Sequence, residues 1–265
     1  HARVSKFLDL VRKMAGISMS AEVISHNNFP TGAGLASSAS AFASLALASS
    51  QAAALKLNSK QLSVLARRGS GSAARSLFGG FVEMRAGKRQ DGSDSFAVQL
   101  RDENYWDIHL LIAITSTKKK DIGSSRGMEH TARSSPYYPV WVRTSATDLK
   151  EMRQAITEKN FSKLGELSEF SCLKMHAVAM SSKPGLVYWN GVTIQCLHAI
   201  HDLRRQGCEV YFTIDAGPHV KSICLSPEIE TVKRTLENTS GVLKVISSGL
   251  GGNAVLLENV NWDTL

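Results

Sequence analysis

Residues 30–40 read Pro-Thr-Gly-Ala-Gly-Leu-Ala-Ser-Ser-Ala-Ser, and this run of small residues lies between a strand-like run at 22–25 and an alanine-rich helix pattern at 37–57. A glycine loop that opens a helix leaves backbone N–H groups unpaired at the positive end of the helix dipole. Phosphate groups bind at such helix starts. Taken alone, the loop fits a phosphate site and a simple helix cap equally well.

Two common phosphate-binding motifs are excluded in this loop. No lysine follows Gly34, as the GxxxxGK[ST] loop requires, and Ser37 stands where GxGxxG has its third glycine. The longer order Pro-x-x-x-Gly-Leu-x-Ser-Ser-Ala is the more specific signal. In it, Ser37 and Ser38 add hydroxyl donors to the backbone amides.

The composition indicates a globular protein with a substantial core. Of the 265 residues, 43% are hydrophobic and 20% are charged, which argues against disorder. No apolar run is long and uninterrupted enough to span a bilayer, so we expect no membrane partner. The four cysteines lack CxxC spacing, which favours reduced, buried thiols in an intracellular protein. Because the chain opens with His1 rather than Met, we also expect residues upstream of it.

The net charge of +8 and the pI of about 9.4 predict an anionic partner. Nucleic acid is poorly supported, because aromatic residues make up only 7% of the chain and do not interleave with the basic ones. The densest basic cluster, at 118–120, is typical of a solvated loop. A polyanionic metabolite fits the charge as well, and we predict no nucleic-acid partner.

The periodicity of apolar residues predicts helices and strands that are interspersed without strict βα alternation, which favours an α+β fold. The predicted helices cover 4–14, 37–57, 60–68, 123–133, 140–158, 161–180, 188–205 and 227–238. The predicted strands cover 22–25, 81–85, 96–100, 108–115, 209–214, 220–225, 243–246 and 254–256. Because the strand-rich part ends near residue 116, we predict one part over 1–116 and a second over 117–265.

Four loops of small residues, at 30–40, 69–76, 215–218 and 247–253, are more than the connections between elements need. Their backbone amides can approach a ligand closely. Arg75 in the second loop suits a carboxylate or a phosphate, which a guanidinium binds through two parallel hydrogen bonds. A surface salt bridge is an equally good interpretation of this arginine.

Asp215 follows the apolar run 210–214 and precedes Ala-Gly-Pro. A carboxylate at a strand end can point into a cleft, where it accepts a proton from an attacking hydroxyl or orients it. An Asx turn is the more common role for an aspartate beside a tight turn. The eight histidines show no metal-ligand spacing, and no Gly-x-Ser-x-Gly supports a serine hydrolase, so we predict neither kind of site.

Five motifs occur in a fixed order along the chain. They are Asn-Asn-Phe-Pro-Thr at 27–31 with Gly-Leu-Ala-Ser-Ser-Ala at 34–39, the Gly/Ser loop at 69–80, Asp-Gly-x-Asp-Ser at 91–95, Lys-Lys-Asp-Ile-x-Ser-Ser at 119–125, and Ile-Asp-Ala-Gly-Pro at 214–218. In this order they resemble the mevalonate diphosphate decarboxylase family of the GHMP kinase superfamily. The resemblance covers nearly the whole chain.

The resemblance implies a two-lobed, GHMP-kinase-like α+β fold, with an N-terminal part similar to ribosomal protein S5 domain 2 and a ferredoxin-like C-terminal part. Family members use ATP and Mg²⁺ to phosphorylate the 3-hydroxyl of (R)-5-diphosphomevalonate. The new phosphate then leaves, carbon dioxide is lost and isopentenyl diphosphate forms. The resemblance also implies a cytoplasmic homodimer.

The same resemblance implies a role for each candidate residue. Asp215 falls on the family's catalytic aspartate, which orients or deprotonates the 3-hydroxyl, and Arg75 falls on the residue that holds the substrate carboxylate. Ser70 and Ser72 fall on the substrate loop. The positions that fall beside the ATP phosphates are Gly34, Leu35, Ala36, Ser37, Ser38 and Ser125.

The chain departs from the family pattern in two places. The family's Tyr-Trp-x-Lys segment, whose lysine supports the catalytic aspartate, has no counterpart in this sequence, so we expect the first strands of the N-terminal part to be missing from it. His219 stands where asparagine or another small residue is expected.

Two other functions remain open from the sequence. One is a kinase or decarboxylase of the same superfamily that acts on mevalonate or its monophosphate. The other is a non-catalytic module that binds phosphometabolites or nucleic acid. Arg75 and Asp215 together favour the decarboxylase.

Overall fold

The computed structural model of this chain describes residues 2–29, 35–118 and 122–257. Helices and antiparallel strands are interspersed along these residues, so the predicted α+β class is confirmed. The helices are α1 (Ala2–Ala15), α2 (Ser37–Ala52), α3 (Ser59–Gly69), α4 (Ser124–Ser134), α5 (Tyr138–Glu158), α6 (Phe161–Met180), α7 (Gly191–Arg205) and α8 (Ile229–Glu237). The strands are β1 (Phe81–Met84), β2 (Ala97–Arg101), β3 (Ile108–Ile114), β4 (Val210–Thr213), β5 (Val220–Leu225) and β6 (Lys244–Ser248).

The chain forms two compact units. The first comprises His1–Thr31, Ala36–Tyr105 and Leu250–Leu265, and the second comprises Gly32–Leu35 and Trp106–Gly249. The division into parts at residue 116, which the sequence suggested, stays a prediction. Among the residues that the structure describes, no helix combines the length and the apolarity that a bilayer crossing requires.

The first unit packs α1, α2 and α3 around one apolar cluster beside the β1–β2 hairpin. The rings of Phe7 and Phe42 meet edge to face with centroids 5.5 Å apart. Gly69 ends α3 directly against Phe42, where an added Cβ would lie 2.1 Å from a ring carbon. The Arg3 guanidinium also donates to the Gly69 carbonyl at 2.7 Å. These contacts fix the point from which the loop after α3 departs.

The second unit is built on an antiparallel sheet in the order β4-β5-β3-β6. Its core joins residues of β3, β4 and β5 to apolar faces of α7 and α8 and to Cys172 of α6. Helix α6 approaches β4 so closely that a Cβ on Gly165 would lie 2.0 Å from the Tyr211 ring. This close packing brings the N-terminal part of α6 against β4.

Two predicted strands do not form. Residues 22–25 and 254–256 are irregular and largely exposed, because a strand needs the backbone of a neighbour and no described strand pairs with either segment. The predicted helix at 37–57 ends at Ala52, and Ala54 then takes a left-handed conformation with φ of 52°. Helix α7 begins at Gly191 rather than near 188, because Asn190 caps it.

Candidate functional site

The helices differ in whether a side chain caps the first backbone N–H groups. Helices α3, α6 and α7 each begin behind an asparagine whose side-chain oxygen accepts from the third residue of the helix: Asn58, Asn160 and Asn190. Helix α2 begins behind Ala36 and α4 behind Gly123, and neither has a side-chain cap. Ala36 therefore gives α2 no side-chain cap, and the amide-rich starts of α2 and α4 suit an anion.

Ala36 holds the chain in a sharp turn at the start of α2. Its φ of 55° and ψ of 29° are left-handed, which costs an alanine energy and is common at functional sites. Its carbonyl accepts the Ala39 N–H at 2.7 Å. Ala36 and Ser38 are exposed, Leu35 and Ser37 are half-buried, and Gly34 lies outside the described residues.

The loop after α3 brings two of the predicted site residues together. The hydroxyls of Ser38 and Ser70 lie 3.3 Å apart, so the start of α2 and the end of α3 meet within the first unit. The turn then continues as a 3₁₀ helix over Gly71–Ala74, and the Ser72 carbonyl accepts the Arg75 N–H at 3.0 Å. Ser72 is half-buried.

Arg75 points its guanidinium to solvent at the end of this turn. Within residues 2–29, 35–118 and 122–257, no carboxylate pairs with it and no side-chain hydrogen bond engages it. The salt-bridge interpretation therefore has no partner in the described structure. What remains is a cation with five unused donors next to two serines, which suits a carboxylate or a phosphate.

Part of the last glycine loop serves packing instead of a ligand. The Gly79 N–H donates to Asn253 Oδ1 at 2.9 Å, and the Gly80 N–H donates to the Gly251 carbonyl at 2.9 Å. A Cβ on Gly79 would lie 2.6 Å from that same carbonyl oxygen. Position 79 therefore requires a glycine for this close approach, which holds the end of the Gly/Ser loop at 69–80 in place.

Asp215 lies two residues beyond the end of β4, and its side chain is exposed. The N–H of Gly217 bonds to the main-chain carbonyl of Asp215 at 2.7 Å, and not to the carboxylate. The carboxylate instead accepts a hydrogen bond from Lys221 Nζ at 2.8 Å through Oδ2. The Asx-turn interpretation is therefore wrong, and Oδ1 has no hydrogen-bond partner among the described residues.

Helix α6 fixes the residue before Asp215. The Ile214 N–H donates to Cys172 Sγ at 3.2 Å, and the Ile214 carbonyl accepts from His176 Nε2 at 3.1 Å. Burial lowers the pKa of His176 and raises the pKa of the Cys172 thiol to about 11, so both side chains are neutral at pH 7. The backbone that carries Asp215 is therefore held by two uncharged groups of a neighbouring helix.

Pro218, at the other end of the turn over 215–218, is also held by hydrogen bonds. The Pro218 carbonyl accepts hydroxyl hydrogen bonds from Thr115 at 2.9 Å and from Thr193 at 2.7 Å. The ring of His219 is buried, and its Nδ1 accepts the Thr115 N–H at 3.2 Å. Burial lowers the pKa of His219 to about 4, which keeps it neutral and able to accept.

The sequence did not predict five groups that hold the Asp215 turn: Lys221, Cys172, His176, Thr115 and Thr193. Only Lys221 left a signal, because it is the one charged residue of β5. The others come from distant segments and carry no recognisable spacing. Ser125 is exposed as the second residue of α4 in the second unit, and of the neighbouring lysines only Lys118 lies within the described residues.

A second polar cluster does not form a catalytic triad. His109 Nε2 lies 2.7 Å from Asp107 Oδ1 and 3.0 Å from Ser226 Oγ. A relay needs the carboxylate and the hydroxyl on opposite ring nitrogens, and here both meet the same one. The Ser226 hydroxyl, followed by His109, lowers the pKa of Asp107. The cluster ties the start of β3 to the end of β5.

No protein-built metal centre is found among the described residues, where no three His, Cys, Asp or Glu side chains converge. Mg²⁺ often binds proteins through substrate phosphates and water with few protein ligands. The uncapped helix starts at α2 and α4 fit such phosphates, because they offer amide groups and small side chains.

Two family models match the chain in sequence order. Residues 1–97 match the diphosphomevalonate decarboxylase-like N-terminal domain, and residues 110–255 match the mevalonate 5-diphosphate decarboxylase C-terminal domain. Diphosphomevalonate decarboxylase mvd1 of Aspergillus fumigatus is 36% identical over 223 residues, which are 83% of this chain. The chain spans only 55% of the length of that relative.

Solved structures agree with the family models. Mevalonate diphosphate decarboxylase from Staphylococcus aureus has 37% identity and a TM-score of 0.89, with 95% of this chain and 76% of that one covered. MDDEF in complex with MVAPP, AMPPCP and magnesium also has 37% identity, with a TM-score of 0.88 and the same coverage. The GHMP-kinase-like fold expected from the resemblance is thereby confirmed.

Proposed function

The chain belongs to the mevalonate diphosphate decarboxylase family, and from this premise we propose that it catalyses the ATP-dependent decarboxylation of (R)-5-diphosphomevalonate to isopentenyl diphosphate. The observation that carries the proposal is the exposed carboxylate of Asp215, held from both sides on the matched C-terminal domain. Relatives named diphosphomevalonate decarboxylase support the reaction, and so does the complex of MDDEF with MVAPP, AMPPCP and magnesium.

We assign the phosphoryl transfer step to Asp215. Its carboxylate accepts a hydrogen bond from the 3-hydroxyl and takes the proton as the oxygen attacks the γ-phosphorus of ATP, which releases ADP. The amides at the start of α2, with Ser37 and Ser38, are assigned to the ATP phosphates, and Ser125 at the start of α4 is assigned to them separately. Mg²⁺, when bound to the nucleotide, supplies charge neutralisation.

The second step breaks two bonds. The 3-phosphate leaves with the electron pair of its C–O bond, and the electron pair of the C–C bond to the carboxylate forms the new double bond as carbon dioxide departs. Arg75 holds that carboxylate through paired hydrogen bonds, while Ser70 and Ser72 line the substrate loop. Asp215 releases the proton to solvent, to which its side chain is exposed, and its restored negative charge stabilises the cation-like carbon between these events.

The proposal is tested by product analysis on the full-length protein. Purified protein with (R)-5-diphosphomevalonate, ATP and Mg²⁺ is expected to release carbon dioxide and ADP in equal amounts and to form isopentenyl diphosphate. The variant Asp215→Asn is expected to bind nucleotide and to lose turnover. A phosphorylated product without carbon dioxide would instead identify a kinase. Turnover restricted to mevalonate or its monophosphate would show that one of these compounds, and not the diphosphate, is the substrate.

We also propose that the protein is a homodimer in the cytoplasm. Four free, buried cysteines support a reducing compartment. The large apolar side chains of Phe170 and Leu173 are exposed one turn apart on α6, which supports a surface that a second copy covers. Light scattering of the full-length protein measures its mass, and a monomer at micromolar concentration would contradict the dimer.

A further inference from the structure

Lys221 contacts Asp215 from the neighbouring strand. It lies on β5, six residues after Asp215, and pairs with Thr213 across the β4–β5 register. The adjacent residues Val220 and Ser222 are fully buried, and Val220 belongs to the core. Because side chains alternate along a strand, Lys221 lies on the opposite face of β5 from these two. From that face its Nζ reaches Asp215 Oδ2 at 2.8 Å.

The two members of this ion pair differ in exposure. The Lys221 side chain is 13% exposed, whereas the Asp215 side chain is 60% exposed. The ammonium therefore lies behind the carboxylate, and the carboxylate faces solvent. One carboxylate oxygen is bound to the lysine, while the other has no hydrogen-bond partner among the described residues and can accept one from a ligand.

Burial of an ammonium is costly unless a counter-charge satisfies it. Asp215 supplies that counter-charge, so the carboxylate and the ammonium constrain each other. The main chain at Ile214 and Pro218 is already fixed by hydrogen bonds, which leaves the side-chain torsions of Asp215 as its remaining freedom. The contact with Lys221 restricts those torsions.

We propose that Lys221 is a positioning residue that aims the free carboxylate oxygen of Asp215 at the substrate hydroxyl. This inference rests on the function proposed above and adds to it a residue that acts through Asp215. A misplacement of a reacting group by about 1 Å costs on the order of 100-fold in rate. Loss of Lys221 therefore lowers kcat while substrate binding elsewhere persists.

The test compares Lys221→Met, Lys221→Arg and Lys174→Met in the full-length protein. Lys174 is the matched control, because it also forms a partly buried ion pair in the second unit, with Asp148, at 18% and 22% side-chain exposure. Lys221→Met is expected to lower kcat by about 10- to 100-fold with the KM values for both substrates changed by less than about threefold. Lys221→Arg keeps a cation and is expected to recover most of that loss.

Lys174→Met is expected to keep kcat within about twofold of the parent protein while it lowers the thermal midpoint, because it leaves the partly buried Asp148 without its partner. Equal losses of kcat in both lysine variants would reduce Lys221 to a structural role and overturn the proposal. If Lys221→Met does not fold, Lys221→Gln replaces it. A kcat within about twofold of the parent in the folded variant contradicts the proposal.

A failure of the proposed function is distinguishable from a failure of this inference. If the parent protein releases no carbon dioxide, the function is wrong whatever Lys221 does. Crystal structures of the parent and of Lys221→Met then test the positioning directly. An unchanged Asp215 side chain in the variant would overturn the inference, whereas a rotated or disordered carboxylate supports it.

Discussion

At the scale of single residues, the Asp215 turn depends on uncharged partners as much as on charged ones. Cys172 and His176 form hydrogen bonds with the main chain of Ile214, and His219, four residues after Asp215, accepts the Thr115 N–H. Burial keeps all three neutral near pH 7. A protonated histidine at these positions would compete with Lys221 for Asp215, and a thiolate would compete with Asp215 for Lys221, so neutrality preserves the ion pair between Asp215 and Lys221.

Arg75 is expected to act on the acid substrate and not on the nucleotide. Arg75→Met should lower kcat/KM for diphosphomevalonate by about 10- to 100-fold, because a charge-assisted hydrogen bond contributes about 1.5–3 kcal/mol. The KM for ATP should stay within about twofold. Arg68→Met, which removes another exposed arginine from the first unit, is the control in the same steady-state assay. A decrease of kcat/KM for ATP alone would show that Arg75 contacts the nucleotide and not the acid substrate.

His219 is expected to make stability depend on acid pH. Its pKa falls from 6.5 to about 4 in the folded protein, so the unfolded chain binds more protons between these values. The stabilising contribution is therefore complete above pH 6.5 and is lost as the pH falls towards 4, by roughly 3 kcal/mol in total. Urea unfolding at several pH values between 4 and 7 measures the slope.

His219→Asn should flatten that slope, because asparagine does not titrate and its oxygen can still accept the Thr115 N–H. His198→Asn, at an exposed position on α7, should leave the slope unchanged. Parallel slopes for the parent and for His219→Asn would assign the acid sensitivity to other groups.

At the scale of elements, packing decides where helices end and which strands form. At Gly69, the last residue of α3, helix α2 passes so close that a side chain would overlap Phe42. The sequence at 22–25 suits a strand. Those residues are nevertheless irregular, because a strand also needs a neighbouring strand to pair with, and no described strand pairs with them.

Gly69→Ala should destabilise the protein despite the better helix propensity of alanine. The added Cβ would lie 2.1 Å from the Phe42 ring, and such overpacking costs about 1–3 kcal/mol. Gly71→Ala is the matched control, because a Cβ there meets nothing within 4 Å. Chemical denaturation gives both free energies. A midpoint for Gly69→Ala at or above that of Gly71→Ala would show that the ring moves aside at no cost.

At the scale of the whole molecule, the two compact units have separate cores and different chemistry. All four cysteines lie in the second unit and are buried, and burial raises their pKa to between about 11 and about 12. Thiols are therefore markers of the second unit alone.

The native protein is expected to resist thiol reagents at pH 8, because the reactive species is the thiolate and burial disfavours it. A disulfide reagent should modify none of the four in a fast phase, and all four should react once guanidinium unfolds the chain. The guanidinium concentration at which the four thiols react measures the resistance of the second unit to unfolding. A fast native reaction of Cys172 would contradict its burial against Ile214.

By itself, the sequence determined the α+β class, most element positions and the motif order that identifies the family. These features depend on residues that are close in sequence. Asn58 caps α3 by accepting the N–H of Gln61, and the small-residue loops are recognised from their consecutive residues. The sequence also placed Asp215 at a strand end, while the roles of Arg75, Ser70, Ser72 and Ser125 stay predictions.

The contacts that hold Asp215 could be known only from the folded chain. Cys172 and His176 come from α6, about 40 residues earlier in the chain, and Thr115 comes from the end of β3, about 100 residues earlier. No spacing rule joins such segments, because their contacts follow from how α6 packs on β4 and how β3 pairs with β5. Lys221 lies near in sequence, but its contact required the β4–β5 register and the burial of its neighbours to be known.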